Sequence, residues 1–402
     1  MSLSDLLASV PGVTLMTTGF LLAPQVAAYY GDPGRVRIYL DGVELDALNP
    51  RNGGVPDLAM VPLWAMEDVQ VERTAGELRV HLRSWSVDRT TPNTRTDIVT
   101  GTENLNLYRG FFGKRFDNGM VIQLAGKTQQ RHYVGGMDGD ALGGLARFDW
   151  ARGDWSVDAT WIHQGINRNS GDRFITTSPQ PGSIPPYFGS EGVSYLRIAG
   201  RDPNANGPWV QLIASTLSEA KKDTTSSLTS ALAGTSVGDS TDTLRSRPQY
   251  VLAAGFTRWG IRLSSTNRIR SVNGTSYFSP GVRAEYASKF LTVSGFGEHS
   301  ADSTTRTDVQ GRFTPLSWFN VGGSISRAEA TGSGAGPPVT ATRLEVAVGL
   351  KDRWLTGGVV TRSASTLAAP IELDTTLRAV QSPAANGEIV LFRGPLVLGV
   401  HL

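Results

Sequence analysis

Gly234-Thr235-Ser236-Val237-Gly238 has the G-x-S-x-G spacing of a turn that lifts a nucleophilic serine above a sheet. That chemistry needs a buried strand before the turn and a helix after it. Here the pentapeptide sits in a Ser/Thr-rich run, 217–246, which reads as loop, so no catalytic residue is assigned. The histidines are His81, His132, His163, His299 and His401; none stands at H-x-x-x-H spacing, and the chain has no cysteine. No metal site and no cofactor are expected. Asn273-Gly274-Thr275 fits a glycosylation sequon, a pattern with little specificity. Arg258, Arg262, Arg268 and Arg270 form a basic cluster, in which Arg262 shares a strand face with Gly260 and Ser264. On a wet inner face such arginines can draw an anionic solute. The formal net charge of +2 gives no case for nucleic acid.

These residues lie in a long series of strands. After Ser317-Trp318, Phe319, Val321, Gly323 and Ile325 fall on one face and Asn320, Gly322, Ser324 and Ser326 on the other. Side chains of a strand point alternately to its two faces, so the sheet has one apolar and one wet side. The pattern repeats from Thr96 to His401 without a helical interruption. Only 18% of the 402 residues are charged, against roughly 25% in an average soluble protein. Both features point to a closed sheet with lipid outside and water within. Trp150, Trp155, Trp259, Phe290, Trp318 and Trp354 flank short turns, whereas the long loops lack such a girdle. Aromatic rings favour the membrane interface, which places the short turns at one membrane surface and the long loops at the other. A soluble secreted β-protein is the competing reading of the same strands, and gives no reason for that asymmetry.

Residues 1–95 differ. Ser4 is expected to cap a short helix over 5–9 that ends at Pro11-Gly12. Val13–Met16, Arg35–Leu40, Asp68–Arg73 and Glu77–Leu82 read as strands, with Asp41-Gly42 a tight turn and 17–34 irregular. Leu63–Met66 fits one helical turn, and the polar stretch 83–95 reads as a hinge. The spacing gives a small α+β domain.

Asp5-Leu6-Leu7-x-x-x-Pro11-Gly12-Val13, then Val36-x-Ile38-Tyr39-Leu40-Asp41-Gly42-Val43, then Val69-Gln70-Val71-Glu72-Arg73 resembles the plug domain of TonB-dependent outer-membrane receptors. The resemblance covers most of residues 5–82. It departs after Arg73, where Thr74-Ala75-Gly76 replaces the usual Gly-rich run. It implies a mainly β protein: a plug, residues 1–95, followed by an antiparallel transmembrane β-barrel, 96–402, in a bacterial outer membrane. About 16 strands are expected, against about 22 in plugged transporters. Missing N-terminal plug residues and C-terminal strands would account for the difference and for the lack of an export signal at Met1; a smaller closed barrel is the alternative. The resemblance also implies uptake of a bulky solute, such as a siderophore, cobalamin, oligosaccharide or peptide, with outer-membrane lipid and a TonB-like energy-coupling protein as partners. Tyr29, Tyr30, Arg51 and Asn52 fall on segments like the family's apical plug loops and are the candidate ligand-binding residues. A non-transporting barrel with an adhesive or structural role is the other function left open.

Overall fold

In a computed structural model, the described residues are 2–17, 22–45, 55–101, 105–132, 138–169, 171–172, 183–184, 187–221, 243–272, 275–300, 304–330, 338–350, 353–362, 384–393 and 396–401. Strands dominate: seventeen of them, from Asn93–Gly101 to Leu396–His401, form one closed barrel. About 16 strands were expected, and the seventeen present pair into a ring that closes on itself. Closure leaves no unpaired edge facing hydrocarbon.

Alternation sets which way each strand faces. Along Ile261–Val272, Ile261, Leu263 and Ile269 are exposed while Arg268 between them is buried. Outside the barrel, exposure to solvent is exposure to lipid, so these apolar side chains are in their own medium. Short turns join the strands at one end. Trp259, at φ 52°, and Gly260, at φ 78°, make the two-residue link between Arg258 and Ile261. Trp155, Trp259, Phe290 and Trp318 stand exposed at these turns, as an interfacial girdle should.

The N-terminal domain carries a helix, Leu3–Leu7, and six strands: β1 (Val13–Thr17), β2 (Gln25–Tyr29), β3 (Val36–Leu40), β4 (Val43–Leu45), β5 (Met66–Arg73) and β6 (Leu78–Ser84). The cap is Ser2, not Ser4: Ser2 and Asp5 form a reciprocal capping box, while the Ser4 hydroxyl donates to Gln25. β2 interrupts a stretch expected to be irregular. Val26, Ala27, Ala28 and Tyr29 are all buried, so the strand shows no alternation to read. The main sheet runs β4-β3-β6-β5, with β3 and β6 parallel, and β1-β2 form a separate pair. Its core of Leu3, Leu7, Ile38, Leu40, Val43, Leu78 and Val80 continues into Leu145, Ile162, Ile213 and Val251 of the barrel wall. The domain therefore sits inside the bore. The linker, residues 85–92, then leads into the first barrel strand, two residues shorter at its near end and three at its far end than the expected hinge.

Candidate functional site

The side chains that seat the domain against the wall are mostly ionic. β3 presents Arg37 to the wall and β4 presents Glu44. Arg37 Nε donates to Glu44 at 2.8 Å, and its Nη1 donates to Glu298 of the strand Leu291–His299 at 2.6 Å. Arg268, from Ile261–Val272, closes the square: its Nη1 reaches Glu44 at 2.7 Å and Glu298 at 3.3 Å. Arg270 lies 3.6 Å from Glu44. The Gln249 amide accepts from the Glu44 backbone N–H and donates to its carbonyl, both at 3.3 Å. Below this square the Tyr39 ring stacks on His81 and lies under the guanidinium groups of both Arg37 and Arg268.

A second group follows on β5 and β6. Arg79 donates to Glu77 at 3.1 Å and pairs with Asp308 of the wall, while its guanidinium covers Phe296 at 4.1 Å. Arg306 lies 3.1 Å from Glu77. Glu72 accepts both terminal nitrogens of Arg283, at 2.9 and 3.0 Å, a bidentate pair. Between these strands the Thr74-Ala75-Gly76 turn fits tightly. Thr74 Oγ1 accepts from the N–H of Glu77, and Gly76 N–H donates to Ser326 Oγ at 2.8 Å. A Cβ at Gly76 would meet Ser326 Cβ at 2.8 Å, so glycine permits the approach. The departure from the family's usual run is therefore a contact with the wall.

Charge is held in place by mutual pairing. Burial pushes the Glu77 carboxyl up, but Arg306, Arg37 and Arg79 outweigh it and bring it down to about 2. Burial likewise opposes ionisation of Glu44 and Glu72, but Arg37, Arg270 and Arg268 at Glu44, and His81 with Arg283 and Arg79 at Glu72, outweigh it and hold both well below the usual carboxylate range. At neutral pH the seat is thus an array of formal charges.

A third contact lies at the turn between β3 and β4. Asp41 and Gly42 have φ of 50° and 90°, the left-handed pair that a two-residue hairpin requires. Asp41 Oδ1 accepts from Ser84 N–H, and its Oδ2 lies 2.9 Å from the Tyr195 hydroxyl. Tyr195 is also 3.2 Å from Asp158, which pairs with Arg147 and Arg197.

The sequence-expected residues divide. Arg268 and Arg270 join the ion-pair square, Arg262 faces Glu285 inside, and Arg258 stacks outside on Trp259 at 4.0 Å. Tyr29 is fully buried and its hydroxyl donates to the Thr74 carbonyl at 2.8 Å; it supports the domain's interior and offers a solute no surface. Tyr30 is half-buried against it. Arg51, Asn52, the G-x-S-x-G pentapeptide and Asn273-Gly274 lie outside the described residues. Among the described residues no three His, Asp or Glu side chains converge as a metal site. Glu44, Glu77, Arg79, Glu298 and Asp308 escaped sequence reasoning. The one available signal was charge placed at Arg37, Glu77 and Arg79 on strands otherwise apolar enough to be core.

Residues 1–80 match the family model of the TonB-dependent receptor plug domain. The whole chain is similar to the siderophore receptor PirA from Acinetobacter baumannii, at 10% identity over 97% of this chain and 75% of that one, with a TM-score of 0.63. It is also similar to the FrpB iron transporter from Neisseria meningitidis (10% identity, 97% and 74% covered, TM-score 0.63). A third likeness is to the ferric yersiniabactin uptake receptor FyuA from Yersinia pestis (10% identity, 96% and 72% covered, TM-score 0.61). No curated protein matches the chain. At such identities the structural likeness is one of fold.

Proposed function

We propose that this chain, an outer-membrane barrel carrying the plug of a TonB-dependent receptor, takes up a scarce, bulky extracellular solute by ligand-gated movement of that plug. The observation that carries the reading is the composition of the seat. Beside the apolar contact with Leu145, Ile162, Ile213 and Val251, the plug is held by the Arg37–Glu44–Arg268–Glu298 square and the Arg79 and Glu72 pairs. Those charges can be rehydrated if the plug is drawn aside, which lowers the cost of uncovering that part of the wall.

The work must come from elsewhere, because the outer membrane holds no nucleotide pool. A TonB-like protein pulling on the plug's N-terminal side would supply it by contact. Solute would enter through the outer loops and meet the plug apex, where Tyr30, Arg51 and Asn52 are the candidate contacts. Siderophores are the first class to try, since the similar structures are named for siderophore, iron and yersiniabactin uptake.

The test is accumulation of radiolabelled iron from a panel of ferric siderophores in cells that lack their own receptors and express this chain. Uptake is expected for at least one siderophore, and is expected to vanish when the energy-coupling protein is deleted. Uptake that persists without that protein, or no uptake of any ligand tried, including cobalamin and oligosaccharides, would overturn the reading.

A further inference from the structure

Three adjacent strands of the inner wall, Asn93–Gly101, Leu105–Arg115 and Met120–His132, have a charge pattern unlike that of the strands that seat the plug. Ile98, Tyr108, Phe112, Ile122 and Leu124 are exposed on their outer face. Alternation then sends Arg95, Asp97, Arg109 and Lys127 into the bore. Phe111 fixes the sense, since it faces inward and packs against Trp64 and Trp85.

Arg109 stands directly opposite Lys127 on one side and Asp97 on the other. A single carboxylate oxygen, Asp97 Oδ2, serves both Arg95 at 3.1 Å and Arg109 at 3.3 Å. Among the described residues two cations thus share this carboxylate, and one of them faces Lys127 across a strand pair, an arrangement that destabilises a sheet. The wall is open at Arg95 and half-buried at Arg109 and Lys127. The Arg95 side chain is 59% exposed and Val99, on the same face, is 44% exposed, whereas Arg268 in the plug's seat is 6% exposed.

Unbalanced like charge on a wet surface, walled by a low-dielectric barrel, concentrates counter-ions. Guanidinium and ammonium donors side by side match an oxyanion with more than one charged group. We infer that this wall binds a solute bearing two or more carboxylate or phosphate groups, as a station beside the plug. The station's place on an uptake path rests on the reading above; its binding chemistry does not.

The experiment uses the full chain in detergent micelles and the small tricarboxylate tricarballylate as probe, titrated by calorimetry at low ionic strength, with the neutral triamide as control. Wild type is expected to bind the tricarboxylate, not the triamide, and to lose it in salt. Lys127→Gln and Arg109→Gln are each expected to weaken binding by about 5-fold or more, Lys127→Arg to restore it, and Lys289→Gln at a distant turn to leave it alone. Lys127→Gln keeps the test decisive if Arg109→Gln fails to fold, because it removes no ion pair seen among the described residues. Absence of tricarboxylate binding, or equal binding by wild type and Lys127→Gln, would overturn the inference. Siderophore uptake that proceeds with this site silent would leave the transport reading standing; binding here without any uptake would do the reverse.

Discussion

On the strands Ile261–Val272 and Leu291–His299, Arg268 and Glu298 pair with charges of the β3–β4 hairpin; on Leu105–Arg115 and Met120–His132, Arg109 shares Asp97 with Arg95 and faces Lys127. Arg268 and Glu298 are buried under the plug and complete a square with Arg37 and Glu44. Arg109 and Lys127 are half-buried and face each other, and Asp97 is shared between Arg109 and Arg95. Both walls touch protein, the second through Phe111 and Gln123, but the charges of the second are those inferred to meet solute. The difference lies in occupancy, since both use the same residue types on the same kind of strand.

Substitution should therefore have opposite signs on the two sides. The largest effect is expected for Glu298→Gln, which leaves Arg37 and Arg268 sharing Glu44 in a buried setting. Losing one partner from such a group costs about 3–5 kcal/mol. Limited proteolysis should show residues 1–92 cleaved far faster while the barrel stays resistant; equal resistance of the plug would contradict the comparison.

Acid should attack the matched side next. A carboxylate held below its unfolded range contributes stability above the unfolded pKa, and that contribution is lost as pH falls through the folded pKa. For Glu77 the window runs from the ordinary 4.5 down to about 2. Hydrogen exchange of β3 and β6 should therefore be slow at neutral pH and rise steeply below pH ~4, with barrel strands unaffected. Exchange that is flat across that range would show that the ion pairs do not seat the plug.

A smaller loss is expected at the β3–β4 turn. Tyr195→Phe removes a hydroxyl that lies between two carboxylates, at about 1.5–3 kcal/mol for a hydrogen bond to a charged group. Plug protection should fall by less than in Glu298→Gln. The smallest effect belongs to the unmatched wall, where Lys127→Gln relieves a cross-strand repulsion worth about 0.2–1 kcal/mol and should raise thermal stability slightly. A destabilised Lys127→Gln would mean that the lysine has a structural partner after all.

What could be read from the chain follows from which contacts are local. Leu263 and Ser264 are neighbours, so their opposite faces are visible in the sequence and the barrel with them. The plug was legible because Val36-x-Ile38-Tyr39-Leu40-Asp41-Gly42-Val43 encodes a strand and a turn within eight residues. β2 was not, because a strand buried on both faces has no period. Nor was the seat: Arg37 meets Glu298 across 261 residues, and nothing near either one points to the other. The apical candidates show a related limit. Resemblance put Tyr29 on a segment like an apical loop; it ends a buried strand, and its side chain turns inward to Thr74.

The segment from Trp85 to Pro92 has a consequence of its own. It joins β6 to the first barrel strand, and the Trp85 carbonyl is already tied to the wall by Gln123 at 2.9 Å. Fully extended, such a segment spans no more than about 28 Å. A plug pulled from its seat therefore stays leashed to the mouth it has just uncovered, at an effective concentration on the order of millimolar relative to its own socket. Reclosure becomes a single-molecule event that needs no partner, and leakage lasts only as long as the pull.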